Sequence, residues 1–256
     1  MEIQTDRIAD IARQAGEVIL EVYRQPFPVD FKPDDSPVTD ADRRANEVIL
    51  RSLRDAYPDI PWISEESKAT PFAERCGWKR FWLIDPLDGT KEFIKKNGEF
   101  TVNIALVEDG VPVLGVVYQP VTGTLYSAKK GAGASRTDAT GVTVPLHGGP
   151  HYRDRNVVNV VASRSHMSPE TQAFIDDLGK AGHEVHLTSA GSSLKLCLVA
   201  EGRADVYPRF GPTMEWDTAA AHAVVLESGR KVTRHPSGEP LLYNKENLTN
   251  PWFLVE

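Results

Sequence analysis

The chain has 256 residues, 41% of them hydrophobic and 25% charged, with a formal net charge of −7. That length holds one large domain or two small ones, and the acidic balance argues against a groove that binds nucleic-acid polymers by neutralising phosphates. There is no apolar run near the roughly 20 residues of a membrane span, no apolar secretory core at the N-terminus, and no zinc or redox spacing between Cys76 and Cys197, so a cytoplasmic protein with reduced cysteines is expected.

Ile8, Ile11, Ala15, Val18, Ile19 and Val22 recur at helical spacing and predict an amphipathic helix over residues 3–24, stopped by Pro26 and Pro28. Residues 30–38, DFKPDDSPV, read as a polar loop. A second helix is expected from Thr39 to Tyr57, with Ala45, Val48, Ile49 and Leu53 on one face. FWLI at 81–84 predicts a strand. FTVNIALV (100–107), the turn at 108–110 and VPVLGVVYQP predict a hairpin, and TLYSA (124–128) a third strand of the same sheet. The first half therefore reads as two helices packed on an antiparallel sheet. Residues 131–155 are rich in Gly and polar side chains, and the boundary between subdomains 1–150 and 151–256 is placed near their end. Beyond it, strands at 157–163, 184–187, 204–208 and 231–233 alternate with helices at 168–180, near 191–201 and at 217–228, the order of an α/β layer.

The chemistry concentrates in WLIDPLDGT, residues 82–90. An apolar strand runs straight into Asp85 and Asp88 with no Lys or Arg between them. Burying two unpaired carboxylates costs several kcal/mol each, so a neutralising partner is required. Pro86 bends the chain, so a D-P-x-D turn can aim both carboxylates to one side, with the Leu87 carbonyl as a further donor. Such oxygen-only ligands suit Mg²⁺ or Mn²⁺ rather than zinc. Glu65 and Glu66 of ISEES, and Asp217 of EWDTAAAHAVVLES, are further acidic candidates. Glu65 also reads as a solvated loop carboxylate, and Asp217 as a helix cap. Gly89 permits close backbone approach, and Thr90 with the amides of a helix starting there can hold a phosphate oxygen. Carboxylates for a cation beside a phosphate cradle imply phosphoryl chemistry.

WLIDPLDGTKEFIK resembles the first signature of the inositol monophosphatase superfamily of metal-dependent, lithium-sensitive phosphatases, and WDTAAAHAVVLESG resembles its second. SEES stands where that family has its Glu-Glu loop, and the resemblance covers essentially the whole chain. DGTKEFI with GEFTVNIAL, SPVTDAD at 36–42 and the run 191–220 are similar to the 3'(2'),5'-bisphosphate nucleotidase branch. Arg230 departs from the second signature, where a small residue is usual. The resemblance implies an α+β fold, the layered αβαβα sandwich of the inositol monophosphatase and fructose-1,6-bisphosphatase type.

It also implies roles. Glu65, Asp85 and the Leu87 carbonyl would bind one Mg²⁺, and Asp85, Asp88 and Asp217 a second, with a third, weaker ion near Glu65 and Mn²⁺ as an alternative. Thr90 would orient the attacking water, with Asp42 as proton acceptor, although Thr39-x-x-Asp42 also reads as a capping box. The amides of Gly89 and Thr90 would hold the scissile phosphate, and His166, Ser192, Lys195 and Arg209 the rest of a nucleotide bisphosphate. A helix lysine such as Lys195 is, on its own, ordinarily a solvated one. The implied reaction is hydrolysis of adenosine 3',5'-bisphosphate to AMP and phosphate, with 3'-phosphoadenylyl sulfate as a second substrate, in sulfur metabolism, by a monomer or homodimer. The alternatives are hydrolysis of inositol monophosphate or fructose 1,6-bisphosphate at the same metal site, and a nucleotide-binding regulator without turnover.

Overall fold

Apolar spacing places the first two helices where it predicts them. The computed structural model describes residues 2–33, 35–68, 70–163 and 167–256. Helix α1 (Thr5–Tyr23) buries Ile8, Ile11, Ala15 and Ile19. The loop that follows contains a small antiparallel pair, β1 (Asp30–Phe31) with β2 (Pro37–Val38). Helix α2 (Asp40–Ala56) buries Ala45, Ile49 and Leu53.

A seven-stranded sheet comes next in the chain. It begins with β3 (Trp62–Ser64), the short α3 (Phe72–Arg75), β4 (Arg80–Asp88) and α4 (Thr90–Ile94). It continues through β5 (Thr101–Glu108), β6 (Val111–Gln119), β7 (Thr124–Lys129), β8 (Gly133–Thr137) and β9 (Thr143–Pro145), in spatial order β3 to β9. Only β3–β4 is parallel; the other pairs are antiparallel. Strands β8 and β9 lie within the Gly-rich segment, where composition predicts no strand. They form the sheet's outer margin, where one exposed side removes the need for apolar alternation.

The two faces of this sheet divide the core. Trp82, Ile84, Ile104, Leu106 and Val116 pack with α1 and α2. Phe81, Leu83, Ala105, Val107 and Val117 pack the other way, with residues of α6 and α7 introduced below. A Cβ at Gly115 of β6 would fall 2.0 Å from the Ala220 carbonyl oxygen, so a helix crosses the sheet there at a distance only glycine allows.

After a 3₁₀ turn (Tyr152–Asp154) come β10 (Val157–Ser163), α5 (Pro169–Lys180), β11 (Glu184–Ala190), α6 (Leu194–Ala200), β12 (Tyr207–Arg209), α7 (Glu215–Glu227), β13 (Val232–Arg234) and β14 (Phe253–Val255). Strand β10 runs parallel to β11, and β14 pairs between β12 and β13. Strand β14 lies beyond the last expected element, at 231–233, and is an addition to the expected order. Ile175 and Leu178 of α5 pack on Val158, Val160 and Val206. The layers run α1/α2, large sheet, α6/α7, smaller strands, α5: an αβαβα sandwich. Among the described residues no helix is long and apolar enough to cross a membrane.

Candidate active site

Strand β4 does not stop at Ile84 for a turn, as DPLD suggests. It continues to Asp88 through a bulge: Asp85 pairs with Asn103 and Asp88 with Thr101, so β4 carries an extra residue between the two pairs. Bulges of this kind re-aim side chains. Strand β3 brings Glu65 alongside, its amide donating to the Ile84 carbonyl at 3.2 Å. Helix α7 enters from the second half and supplies Asp217 from its first turn, where the carboxylate accepts the Met214 amide at 2.9 Å. Glu65, Asp85 and Asp217 each place an oxygen within 4.8 Å of the others. Asp88 is held beside this triad by the Ser193 amide at 2.6 Å and Asn103 Nδ2 at 3.4 Å.

These groups repel. Burial, and then the charges of Glu65, Asp88 and Asp217, hold the Asp85 carboxyl well above the usual range. Burial and then Asp88 do the same for Asp217. Burial pushes Asp88 up to about 6, against the lowering influence of Lys195 and the Ser193 amide. Among the described residues no lysine or arginine forms an ion pair with Asp85, Asp88 or Asp217. Lys32 reaches only the rim, pairing with Glu65 at 2.8 Å and Glu66 at 2.5 Å. An all-oxygen donor set in which Asp85, Asp88 and Asp217 lack a cationic partner among the described residues fits a hard divalent cation.

Next to the carboxylates, Gly89 takes φ 96° and opens α4. A Cβ there would also meet the Glu99 carbonyl oxygen at 3.2 Å. Thr90 Oγ1 donates to Asp42 Oδ1 at 3.1 Å and lies 3.5 Å from the Leu87 carbonyl oxygen. The other oxygen of Asp42 accepts the Thr39 amide at 2.7 Å and the Thr39 hydroxyl at 2.6 Å, completing a capping box on α2. The cap and the Thr90 contact are therefore not alternatives: one carboxylate makes both, with a different oxygen for each. Burial raises the Asp42 pKa despite these bonds.

Two cavities adjoin the carboxylates. One of about 180 Å³ is lined by Asp88, Gly89, Ser192, Lys195, Arg209 and Asp217, among others. A larger one of about 790 Å³ shares Lys91, Arg209 and Asp217 and adds Met167, Phe210 and Pro212. Lys195 is not the solvated helix lysine its position suggests. It is buried, donates to the Ser192 carbonyl at 2.7 Å and the Ala190 carbonyl at 3.3 Å, and burial lowers its pKa to about 8 while Asp88 opposes the shift. Arg209 donates to the Pro212 carbonyl at 2.7 Å, and its Nε has no hydrogen-bond partner among the described residues. The buried Ser192 hydroxyl likewise has none. His166 lies outside the described residues.

Sequence reasoning missed Lys32, Asn103 and Ser193. Ser193 stands beside the predicted Ser192, so GSSLK carried half of that signal. Nothing in DFKPDD distinguishes Lys32 from a solvated loop lysine. Arg230 is buried beyond the far end of α7, donating to the Gly148 carbonyl at 2.5 Å, and takes no part in the site.

A profile of the inositol monophosphatase family matches residues 4–251. The chain is 49% identical over 253 residues to the 3'(2'),5'-bisphosphate nucleotidase CysQ of Escherichia coli O6:H1, covering 98% of each. It is 35% identical to the Haemophilus influenzae protein of the same name, over 96% of this chain and 89% of that one. Among solved structures, CysQ of Bacteroides thetaiotaomicron, a bacterial member of the inositol monophosphatase family, superposes with TM-score 0.87 at 49% identity, over 98% of this chain and 96% of that one.

Proposed function

The chain belongs to the inositol monophosphatase family, and on that premise we propose that it hydrolyses the 3'-phosphate of adenosine 3',5'-bisphosphate to AMP and phosphate, with 3'-phosphoadenylyl sulfate as a second substrate. The observation that carries this reading is the 49% identity to a 3'(2'),5'-bisphosphate nucleotidase over 98% of both chains. The repelling carboxylates beside a cavity that Lys195 and Arg209 line support it.

The proposed cofactor is Mg²⁺, two or three ions per site, with Mn²⁺ as an alternative. Glu65, Asp85, Asp88, Asp217 and the Leu87 carbonyl would hold it. When bound, such ions lower the pKa of water and stabilise charge on the phosphoryl and leaving oxygens. The chain's own part begins at α4, whose first amides, those of Gly89 and Thr90, hold the scissile phosphate. Thr90 gives its hydroxyl proton to Asp42 Oδ1, which leaves the Thr90 oxygen to accept a proton from the attacking water. Asp42 takes that proton equivalent through Thr90, and burial makes it a stronger base than a surface aspartate. Arg209 Nε, with Ser192, is assigned to the substrate's second phosphate. Lys195, held by two carbonyls, supplies positive charge from the cavity wall.

The test is phosphate release with Mg²⁺ on adenosine 3',5'-bisphosphate, inositol 1-phosphate and fructose 1,6-bisphosphate side by side. A preference of about ten-fold or more for the nucleotide, roughly 1.4 kcal/mol of barrier, is expected. Preference for inositol phosphate or the sugar would overturn the nucleotide assignment of Arg209 and Lys195.

A further inference from the structure

The smaller cavity carries one carboxylate that the proposed chemistry does not use. Glu92 lines it together with Gly89, Ser192 and Lys195. It stands on α4 two residues after Thr90 and is half-buried. Two glycines define its place. A Cβ at Gly89 would come 3.4 Å from Glu92 Oε2, and a Cβ at Gly191 would come 3.0 Å from Glu92 Cγ and nearer still, 2.5 Å, to the Glu99 carbonyl oxygen. The side chain is thus packed between the start of α4 and the turn that leads into α6, with its carboxylate kept beside Gly89. Its side chain accepts no hydrogen bond among the described residues, although its charge acts on Lys195.

A carboxylate next to a phosphate cradle opposes the phosphate by Coulomb repulsion. Lys195 attracts it in turn, and a hydrogen-bond donor on the substrate gives it a further favourable contact. On a ribose phosphate the donor nearest the scissile ester is the hydroxyl on the adjacent ring carbon. A 3'-phosphate has a free 2'-hydroxyl and a 2'-phosphate a free 3'-hydroxyl, so either regioisomer presents one vicinal O–H. Hydroxyl-to-carboxylate hydrogen bonds are short and strong, and a site built to receive a substrate hydroxyl discriminates sharply against an analogue lacking it.

Resting on the bisphosphate nucleotidase reading of this site, we propose that Glu92 is a specificity-determining residue that accepts a hydrogen bond from the ribose hydroxyl vicinal to the scissile phosphate.

The experiment compares kcat/KM for adenosine 3',5'-bisphosphate and 2'-deoxyadenosine 3',5'-bisphosphate in the wild-type protein, Glu92→Gln and Glu92→Ala, with Mg²⁺ present. The wild type is expected to favour the ribonucleotide by about ten-fold or more. Glu92→Ala should collapse the ratio to within about three-fold, and Glu92→Gln should fall between, because a neutral amide oxygen is the weaker acceptor. Equal rates on both nucleotides in the wild type would overturn the inference. So would a Glu92→Ala protein that slows on both by the same factor, the result expected if Glu92 only steadies α4. Turnover of inositol 1-phosphate with neither nucleotide hydrolysed would overturn the nucleotidase reading itself, and the inference with it.

Discussion

Glu215 and Asp217 lie two residues apart in the first turn of α7, yet the protein treats them oppositely. Glu215 is fully buried and fully paired: Lys245 Nζ at 2.5 Å, the Asn244 amide at 2.7 Å and the Lys245 amide at 3.0 Å all donate to it. Asp205, also fully buried, receives Arg155 at 2.7 Å, the Asn159 amide at 2.7 Å and Asn159 Nδ2 at 3.0 Å. Asp217 has the Met214 amide and otherwise faces Asp85 and Glu65. A chain that buries charge for architecture supplies a cation and spare donors; around Asp85 and Asp217 it supplies more anions. Unpaired burial of this kind destabilises the fold, and it is tolerated where a ligand from outside completes the pairing.

The largest expected effect follows from removing one of the unpaired charges. Asp85→Asn should lower Mg²⁺-dependent phosphate release by about 10³-fold or more, roughly 4 kcal/mol of barrier, while the metal-free protein melts higher than wild type because one repelling charge is gone. Glu215→Gln should do the reverse to the fold, costing about 2–3 kcal/mol in urea unfolding as Lys245 loses its anion. If both substitutions destabilise the metal-free protein alike, the division into paired and unpaired carboxylates is wrong.

The same contrast sets a pH dependence of smaller size. Asp88 is raised to about 6, and Asp85 and Asp217 are raised as well. An unfolded aspartate titrates near 4. Between these values the folded protein holds protons that the unfolded chain has released, so stability falls as pH rises. For Asp88 the contribution is fully present below about pH 4 and is lost as pH passes through about 6, and the raised Asp85 and Asp217 act in the same direction. Metal-free protein should be less stable at pH 7.5 than at pH 5 by about 2 kcal/mol. Millimolar Mg²⁺ should restore the loss at pH 7.5 by binding the native state alone. Thermal melts at the two pH values check both; stability that climbs with pH would mean that the cluster is paired after all.

How legible this was depends on the range over which each signal acts. Asp85 and Asp88 were readable because an apolar strand running into acids is a local contradiction, visible within nine residues. Helices α1 and α2 and the β5–β6 hairpin were readable because their periodicity is local too. Strands β8 and β9 were hidden by Gly and polar side chains at the sheet's margin. The Ser193 amide on Asp88 and the Lys32 ammonium on Glu65 span 105 and 33 residues, and no spacing rule reaches so far. Lys195 misleads for a related reason: a lysine in a short helix looks solvated until the opposite wall, Asp88 and Tyr207, is known. In DPLD the residue types point to a close group of acids, which the structure shows, and to a turn, which it does not, since Pro86 sits in a bulge.

The smallest effect tests whether architecture and chemistry can share one carboxylate. Thr39 is buried and gives both its amide and its hydroxyl to Asp42 Oδ2, while its own oxygen caps the Ala41 amide at 3.2 Å. Thr39→Ala removes the hydroxyl and should cost about 1 kcal/mol of stability as a lost cap. It also withdraws a bond that lowers the Asp42 pKa. Asp42 then holds its proton to higher pH, so the acid limb of the kcat profile should move upward and turnover near neutrality should fall about three-fold. Thr39→Ser keeps the hydroxyl and should restore both quantities. A Thr39→Ala protein that loses stability with an unmoved pH profile would leave Asp42 as a helix cap alone and would place it with Glu215 and Asp205 rather than with Asp217.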